Sequence, residues 1–391
     1  MLANVSSRGH RVSSHRNATG LRHGAEPSAQ IWVGGDGKMR YFYRPALLTL
    51  QAGLLSSNIS AQVTSWDYPK LRELKAGDLF IFVGVFSLDS MTRHFKNLTA
   101  SGVLTVFYAT EADFGHPCSQ KQKLHVREVW EYTQSNVLCC AGASRRPWRY
   151  VPPGYIPREV LASTSSSALT PQLTFVGSAN VHYDKRRSCL RQVARGLMMT
   201  SVNGSTHPKL GYCVDKLCSP AECLGSCGLR VRYSLFDDNR MNGELTRSSS
   251  YLNVHKACNG SALVSNAACE SFRFAPLLSA GAEIFSEHCH SADEREYEGL
   301  IKFGQVGELA AAAAVSWRSS DVSTARARAH AFKERFAPSA IFERAGITAM
   351  LSDHRARWRA VGRQHHQHLD ASNLTQQTGQ ATTLRPAYCR Q

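Results

Sequence analysis

Apolar residues fall along the chain in short runs separated by polar and glycine-rich stretches, the pattern of alternating strands and helices. Residues 79–85 (Leu-Phe-Ile-Phe-Val-Gly-Val) follow Gly77-Asp78 and read as a strand buried on both faces, as in a parallel sheet. Ser87 or Asp89 can cap a helix running through Leu98, and residues 103–108 then read as a second buried strand, completing a βαβ unit. Upstream, structure is expected to begin near Ile31, where Ile-Trp-Val precedes the turn signal Gly34-Gly-Asp-Gly and the aromatic run 41–43. Downstream, a helix is predicted over 126–133 and a short strand over 136–140. The Pro152-Pro153-Gly154 segment must leave regular structure, because prolines lack the backbone donor and push their neighbours to extended conformations.

A Ser/Thr-rich joint at 163–170 precedes a second block of the same kind. Residues 173–176 predict a strand ending at Gly177, and 184–196 a basic helix. From 200 to 243 no apolar face is sustained, and the stretch reads as an irregular insertion. Order returns with a strand at 251–254, a helix at 270–280 ended by Gly281, strands at 282–285 and 301–303, and a segment at 306–315. A helix over 320–336 carries Val322, Ala325, Ala329, Phe332 and Phe336 at helical spacing. The fold class is therefore α/β, with two doubly wound domains facing one another across a cleft. The expected limits are a basic tail 1–30, a first domain 31–155, a linker 156–172, a second domain 173–346 containing the insertion 200–243, and an unpacked polar tail 347–391. In such sheets ligands bind outside the carboxyl ends of the strands. Those ends are 84–87, 108–113, 177–184 and 255–256.

Composition changes this picture only at its margins. At 391 residues and 43% hydrophobic content, the chain can bury cores for two domains. No run of about 18 apolar residues occurs, so no transmembrane segment is expected. Of the formal charge of +16, residues 1–30 supply +3 (four Arg, one Glu) and residues 351–391 supply +4 (six Arg, two Asp). The remaining excess is spread out and not interleaved with aromatic residues, which argues against a nucleic-acid platform and leaves a phosphate-bearing small ligand as the simpler partner. The first 25 residues lack acids and are rich in Arg, Ser and His, so they are either an organellar transit segment or a disordered basic start. Seven sequons, from Asn4 to Asn373, follow no apolar signal core, so a cytoplasmic setting is favoured over a secretory lumen.

Residues 251–256 (Tyr-Leu-Asn-Val-His-Lys), 270–282 with Glu270, Arg273 and Gly281, Phe285-Ser-Glu287 and 293–297 resemble the donor domain of group-1-like glycosyltransferases. The likeness extends to 300–309, to Phe175-Val-Gly177 with the helix after it, and to 129–136 with 151–154. It implies the GT-B architecture, two facing Rossmann-like domains. It also implies a soluble enzyme that moves a sugar from a nucleotide-sugar donor to an unidentified glycan, protein or small-molecule acceptor, without metal or cofactor. A diphosphate leaving group gains negative charge as the glycosidic bond breaks, so helix N-terminal amides and a fixed cation should face it. The resemblance implies Arg273 as that cation, with Lys256 and Arg187 as alternates, Glu287 as acceptor for ribose hydroxyls, and Gly177 and Gly281 as points of close approach. Many relatives carry Glu three residues after the helix Arg; here Pro276 stands there. Glu270 either takes over that role or forms an i,i+3 ion pair with Arg273. Because of Pro276, a non-catalytic nucleotide- or glycan-binding protein is the alternative reading.

Each candidate has a plainer role available to it. His255 is either a donor contact or acid, or a hydrogen-bonded strand-end residue. Glu287 and Arg273 are either ligands or solvated surface charges. If the reaction inverts, a base should come from the first domain, where Glu111 and Asp113, with His116 in the same loop, follow the 103–108 strand. Cys213, Cys218, Cys223 and Cys227 match no zinc spacing; they are reduced thiols in the insertion or a disulfide-stapled loop. His365, His366 and His368 lie in the polar tail and read as solvated. No P-loop, nucleophile elbow or HExxH occurs.

Overall fold

The computed structural model describes residues 28–34, 43–65, 71, 73–84, 88–110, 124–142, 145–157, 173–177, 184–200, 229–232, 243, 245, 249–255, 258, 267–316, 322–358 and 360. They form two all-parallel sheets with helices on both faces.

The first half runs β1 (Ser28–Val33), α1 (Arg44–Ser56), β2 (Ser60–Ser65), β3 (Leu79–Val83), α2 (Leu88–Ala100), β4 (Leu104–Ala109), β5 (Glu128–Glu131), α3 (Gln134–Ala141) and β6 (Trp148–Tyr150). Its sheet order is β2-β1-β3-β4-β5-β6, so the chain reverses direction across the sheet between β1 and β3. Strand β3 is apolar on both of its faces. Leu79, Ile81 and Val83 enter one core layer, and Phe80 and Phe82 enter the other, against Phe95 and Phe107.

The second half runs β7 (Leu173–Val176), α4 (Asp184–Thr200), β8 (Leu229–Arg232), β9 (Ser250–Asn253), α5 (Ser271–Ser279), β10 (Glu283–Glu287), α6 (Ser291–Glu296), β11 (Lys302–Gly304) and α7 (Val306–Ser316). Its sheet order, β8-β7-β9-β10-β11, repeats the reversal between β7 and β9. On one face α4 packs on α7, close enough that a Cβ on Gly196 would lie 2.7 Å from the Ala310 Cβ.

Helix α8 (Val322–Phe336) packs on α5, and α9 (Pro338–Arg344) returns to α1 of the first half. Phe342 of α9 meets Trp130 edge-on at 5.7 Å. The expectation of an unpacked tail from 347 is corrected here: residues 347–358 are helical, Ile347 and Leu351 are buried, and Arg355 donates to the Ser57 carbonyl at 2.7 Å. One apolar cluster therefore runs through both halves, from Leu50 and Trp130 to Phe274, Leu278 and Phe336.

Two further expectations are reversed. Residues 128–131 are a strand where a helix was predicted, because Val129 and Trp130 must bury on opposite faces. Residues 134–141 are a helix where a strand was predicted, with Thr133 capping it by accepting from the Asn136 amide. The insertion is not wholly irregular, since β8 within it pairs with β7. The four cysteines 213–227 lie outside the described residues. Among the described residues no helix is long and apolar enough to cross a membrane.

The carboxyl edges of the two sheets face each other. Phe272, in the first turn of α5, packs on Tyr43 and Tyr132, which follow β1 and β5, at 5.7 and 5.1 Å. Beside them Asp293 of α6 caps α3 across the junction, accepting from the Ser135 amide at 2.9 Å and its hydroxyl at 2.7 Å.

Candidate functional site

The second sheet reverses between β7 and β9, the position at which sheets of this kind place a ligand outside the strand carboxyl ends. Four segments deliver charge there. Helix α4 brings Arg186, the second residue past β9 is His255, α5 brings Glu270 and Arg273 at its start, and β10 ends at Glu287.

The cluster is tightly knit. Arg186, only 2% exposed, donates from Nε to the Val254 carbonyl at 3.0 Å and lies 3.5 Å from Glu270 Oε1. Arg273 reaches the other Glu270 oxygen at 3.6 Å, the i,i+3 pair, and donates to the Asn253 side-chain oxygen. Both guanidiniums lie 5.5 Å from the centre of the Phe175 ring, a cation–π arrangement in which one ring serves two arginines. Asn253 is oriented in turn by Ser286, donating to its hydroxyl at 2.9 Å. Glu287, on the final residue of β10, accepts from the His255 amide at 3.0 Å, which holds the loop after β9 against the end of β10.

His255 is 4% exposed, and its buried Nε2 has no hydrogen-bond partner among the described residues. Burial holds the imidazole below its ordinary 6.5; Glu270 and Glu287 oppose that shift, and Arg273 and Arg186 add to it. A neutral ring with one unsatisfied nitrogen is suited to exchanging a hydrogen bond with a ligand hydroxyl.

Gly177 completes the group. A Cβ there would lie 2.8 Å from the end of the Phe175 ring and 3.1 Å from Arg273 Nη2, so the site tolerates no side chain at that position.

Two disulfides brace these segments. Cys189–Cys258 joins α4, one turn beyond Arg186, to the loop three residues after His255. Cys269–Cys289 joins the residue before Glu270 to the loop two residues after Glu287. Every segment of the cluster except the Gly177 turn is thus tied covalently to another.

No protein-family model matches the chain, and no curated protein matches it in sequence. Solved structures that resemble it include the E. coli trehalose-6-phosphate structure bound with UDP-2-fluoro glucose, at 10% identity and a TM-score of 0.48, over 84% of this chain and 99% of that one. AviGT4, a glycosyltransferase involved in avilamycin A biosynthesis, is 11% identical with a TM-score of 0.45, over 85% and 98%. The Gap123 glycosylation-associated complex from Streptococcus agalactiae is 9% identical with a TM-score of 0.42, over 74% of this chain and 56% of that one, so the chain spans little more than half its length. At this level the likenesses bear on neither substrate nor activity.

The structure brings together His255, Glu270, Arg273, Glu287 and Gly177. Gly281 lies apart from this group: it ends α5 in a left-handed turn (φ 82°) at the amino end of β10, where a Cβ would strike the Ala325 carbonyl. On α4, Arg186, which the sequence reading did not single out, reaches Glu270 and lies near His255, with the predicted Arg187 beside it. Adjacent arginines on a helix differ by about 100° in direction, so the sequence alone does not say which meets a given partner. Lys256, Glu111, Asp113 and His116 lie outside the described residues. Pro276 falls at the sixth position of α5 and removes the amide that would bond the Phe272 carbonyl; the turn before it is intact, with the Phe274 amide on the Glu270 carbonyl at 3.1 Å. Among the described residues no group of three or more His, Cys, Asp or Glu is placed to hold a metal.

Proposed function

We propose that the second half binds the diphosphate of a nucleotide-sugar donor at the β7/β9 reversal and that the protein transfers the sugar to an acceptor held by the first half. The observation that carries this reading is the convergence of two guanidiniums, buried Arg186 and half-buried Arg273, beside an unpartnered histidine nitrogen and the side-chain-free turn at Gly177. Charge-assisted donors in a water-poor crevice stabilise an anion more strongly than exposed ones, and more so as charge develops on a leaving group. In this reading a diphosphate displaces Glu270 from one or both arginines. Glu287 fixes the His255 loop and offers its remaining acceptor capacity to ribose hydroxyls. His255 presents Nε2 to a hydroxyl of the sugar.

A second reading keeps the ligand and drops the transfer. It is favoured by Pro276, which stands where the resembling enzymes carry Glu, and by the pairing of both arginines to Glu270. Calorimetry with UDP, GDP and ADP, followed by hydrolysis assays with the corresponding sugar nucleotides, separates the two. Binding with turnover is the expected result; binding without turnover selects the second reading. Absence of binding to any nucleotide would sink both.

A further inference from the structure

At the β6 edge of the junction lies a cavity of about 590 Å³, apart from the residues of the charged cluster. Its wall draws on both halves: β6 with Trp148 and Arg149, α6 with Arg295 and Glu296, and the ends of α8 and α9 with Arg335 and Arg344. Four guanidiniums on one wall face a single carboxylate.

Two of the four are engaged in building the wall. Arg149 grips both oxygens of Glu128, at 2.8 and 2.9 Å, and donates to the Ala345 carbonyl at 2.5 Å. Arg335 donates to the carbonyls of Glu296 and Glu298, at 3.0 Å each. Among the described residues, Arg295 and Arg344 have no carboxylate partner; Arg344 lies 5.6 Å from the centre of the Phe336 ring. Trp148 also lines the cavity. It is 8% exposed, and its buried Nε1 donor has no acceptor among the described residues. The wall therefore carries positive charge in excess of what the protein itself pairs, and like charges gathered there repel until an anion lies between them.

We propose that this cavity is a second ligand site, taking a phosphate group through Arg295 and Arg344. Its volume lies in the range of small-molecule pockets, so there is room for a phosphorylated small molecule as well as free phosphate. Since the wall belongs to both halves, an occupant ties them together, and binding raises the thermal stability of the whole chain.

The test is titration of the full chain with inorganic phosphate, with glycerol 3-phosphate and with glycerol. Each phosphate probe should bind saturably and raise Tm, and glycerol should not. R295Q/R344Q should weaken the phosphate probes by about tenfold or more, since both side chains are exposed and their removal leaves the fold intact. R273Q removes any phosphate taken up by the charged cluster and should leave in place the saturable binding that R295Q/R344Q weakens. Tighter binding of glycerol 3-phosphate than of phosphate supports the site with a phosphorylated small molecule as its ligand; equal binding supports it with free phosphate. Two results would overturn the proposal: no saturable binding of either phosphate probe, or binding that R273Q abolishes and R295Q/R344Q does not.

Discussion

The two sheets reverse direction in the same way, and the residues described at the two reversals differ in chemistry. In each half, a glycine follows the first strand and lies against a phenylalanine ring: a Cβ on Gly34 would be 2.7 Å from the end of Phe82, and one on Gly177 would be 2.8 Å from the end of Phe175. Beyond that common feature the halves diverge. After β3 the first half has Gly84, and after β4 it has Thr110, whose buried hydroxyl, like that of Thr64 in β2, has no partner among the described residues. The second half has His255 and Glu287 at the matching strand ends, with Arg186 and Arg273 over them. Among the described residues, the β1/β3 reversal is followed by a glycine and a threonine, whereas the β7/β9 reversal is followed by a histidine and a carboxylate with two arginines over them, an arrangement suited to an anion.

The largest effect should come from removing an arginine. Arg186→Met takes away a buried guanidinium that contacts Glu270 and the Val254 carbonyl, and truncating one member of such a buried charged set costs about 2–5 kcal/mol of binding. UDP affinity measured by calorimetry should fall by about a hundredfold or more. Thr110→Val, at the end of β4 in the first half, should leave UDP affinity unchanged. Equal losses in the two variants would erase the distinction between the two reversals.

Next in size are the braces. Cys269–Cys289 closes a separation of 20 residues, and its removal as Cys269→Ser/Cys289→Ser should cost about 2–4 kcal/mol in denaturant unfolding. The same variant should weaken UDP binding, because Glu270 and Glu287 sit beside the two cysteines. A stability loss with UDP affinity intact would mean the brace serves only the fold.

The matched glycines give a smaller and more discriminating comparison. Gly34→Ala and Gly177→Ala each force a ring end to move, at a cost of about 1–3 kcal/mol in thermal or denaturant unfolding. Only Gly177→Ala also presses on Arg273, so only it should weaken UDP binding.

Much of this architecture was legible in the sequence because parallel strands are buried on both faces. Residues 79–85, 103–108, 173–176 and 251–254 read as strands from their apolar content, and strands lie there. The strand ends at Gly177 and His255 followed from those runs, while Glu287 was singled out by the resemblance. What failed depended on contacts distant in sequence. Residues 128–141 were assigned helix then strand and are strand then helix, since a four-residue strand and an eight-residue helix carry too little periodicity to separate. Residues 44–65 gave no assignment, although α1 and β2 lie there. The helix at 347–358 looked like polar tail because its partners, Ser57 and Gly77, are about 300 residues away in the chain. The pairing of Cys189 with Cys258 and of Cys269 with Cys289 cannot be deduced from spacing, because it follows from which loops share a strand edge.

The smallest expected effect tests the charged cluster most specifically. Burial depresses the His255 pKa below 6.5, so the unfolded chain takes up this proton at higher pH than the folded chain. The stabilisation is fully present above 6.5 and is lost as pH falls through the depressed folded value. His354, which contacts the Gly77 carbonyl of the first half at 3.2 Å, is also depressed chiefly by burial, so stability alone cannot separate the two histidines. Ligand binding can. An anion placed among Arg186, Arg273 and His255 favours the protonated imidazole and raises its pKa, so by linkage UDP binding takes up a proton and tightens as pH falls below 6.5. Calorimetry of wild type, His255→Gln and His354→Gln at matched pH cancels the titration of the nucleotide itself. The acid-side gain in affinity should vanish in His255→Gln and persist in His354→Gln; a gain retained in both would place the bound anion away from the β7/β9 reversal.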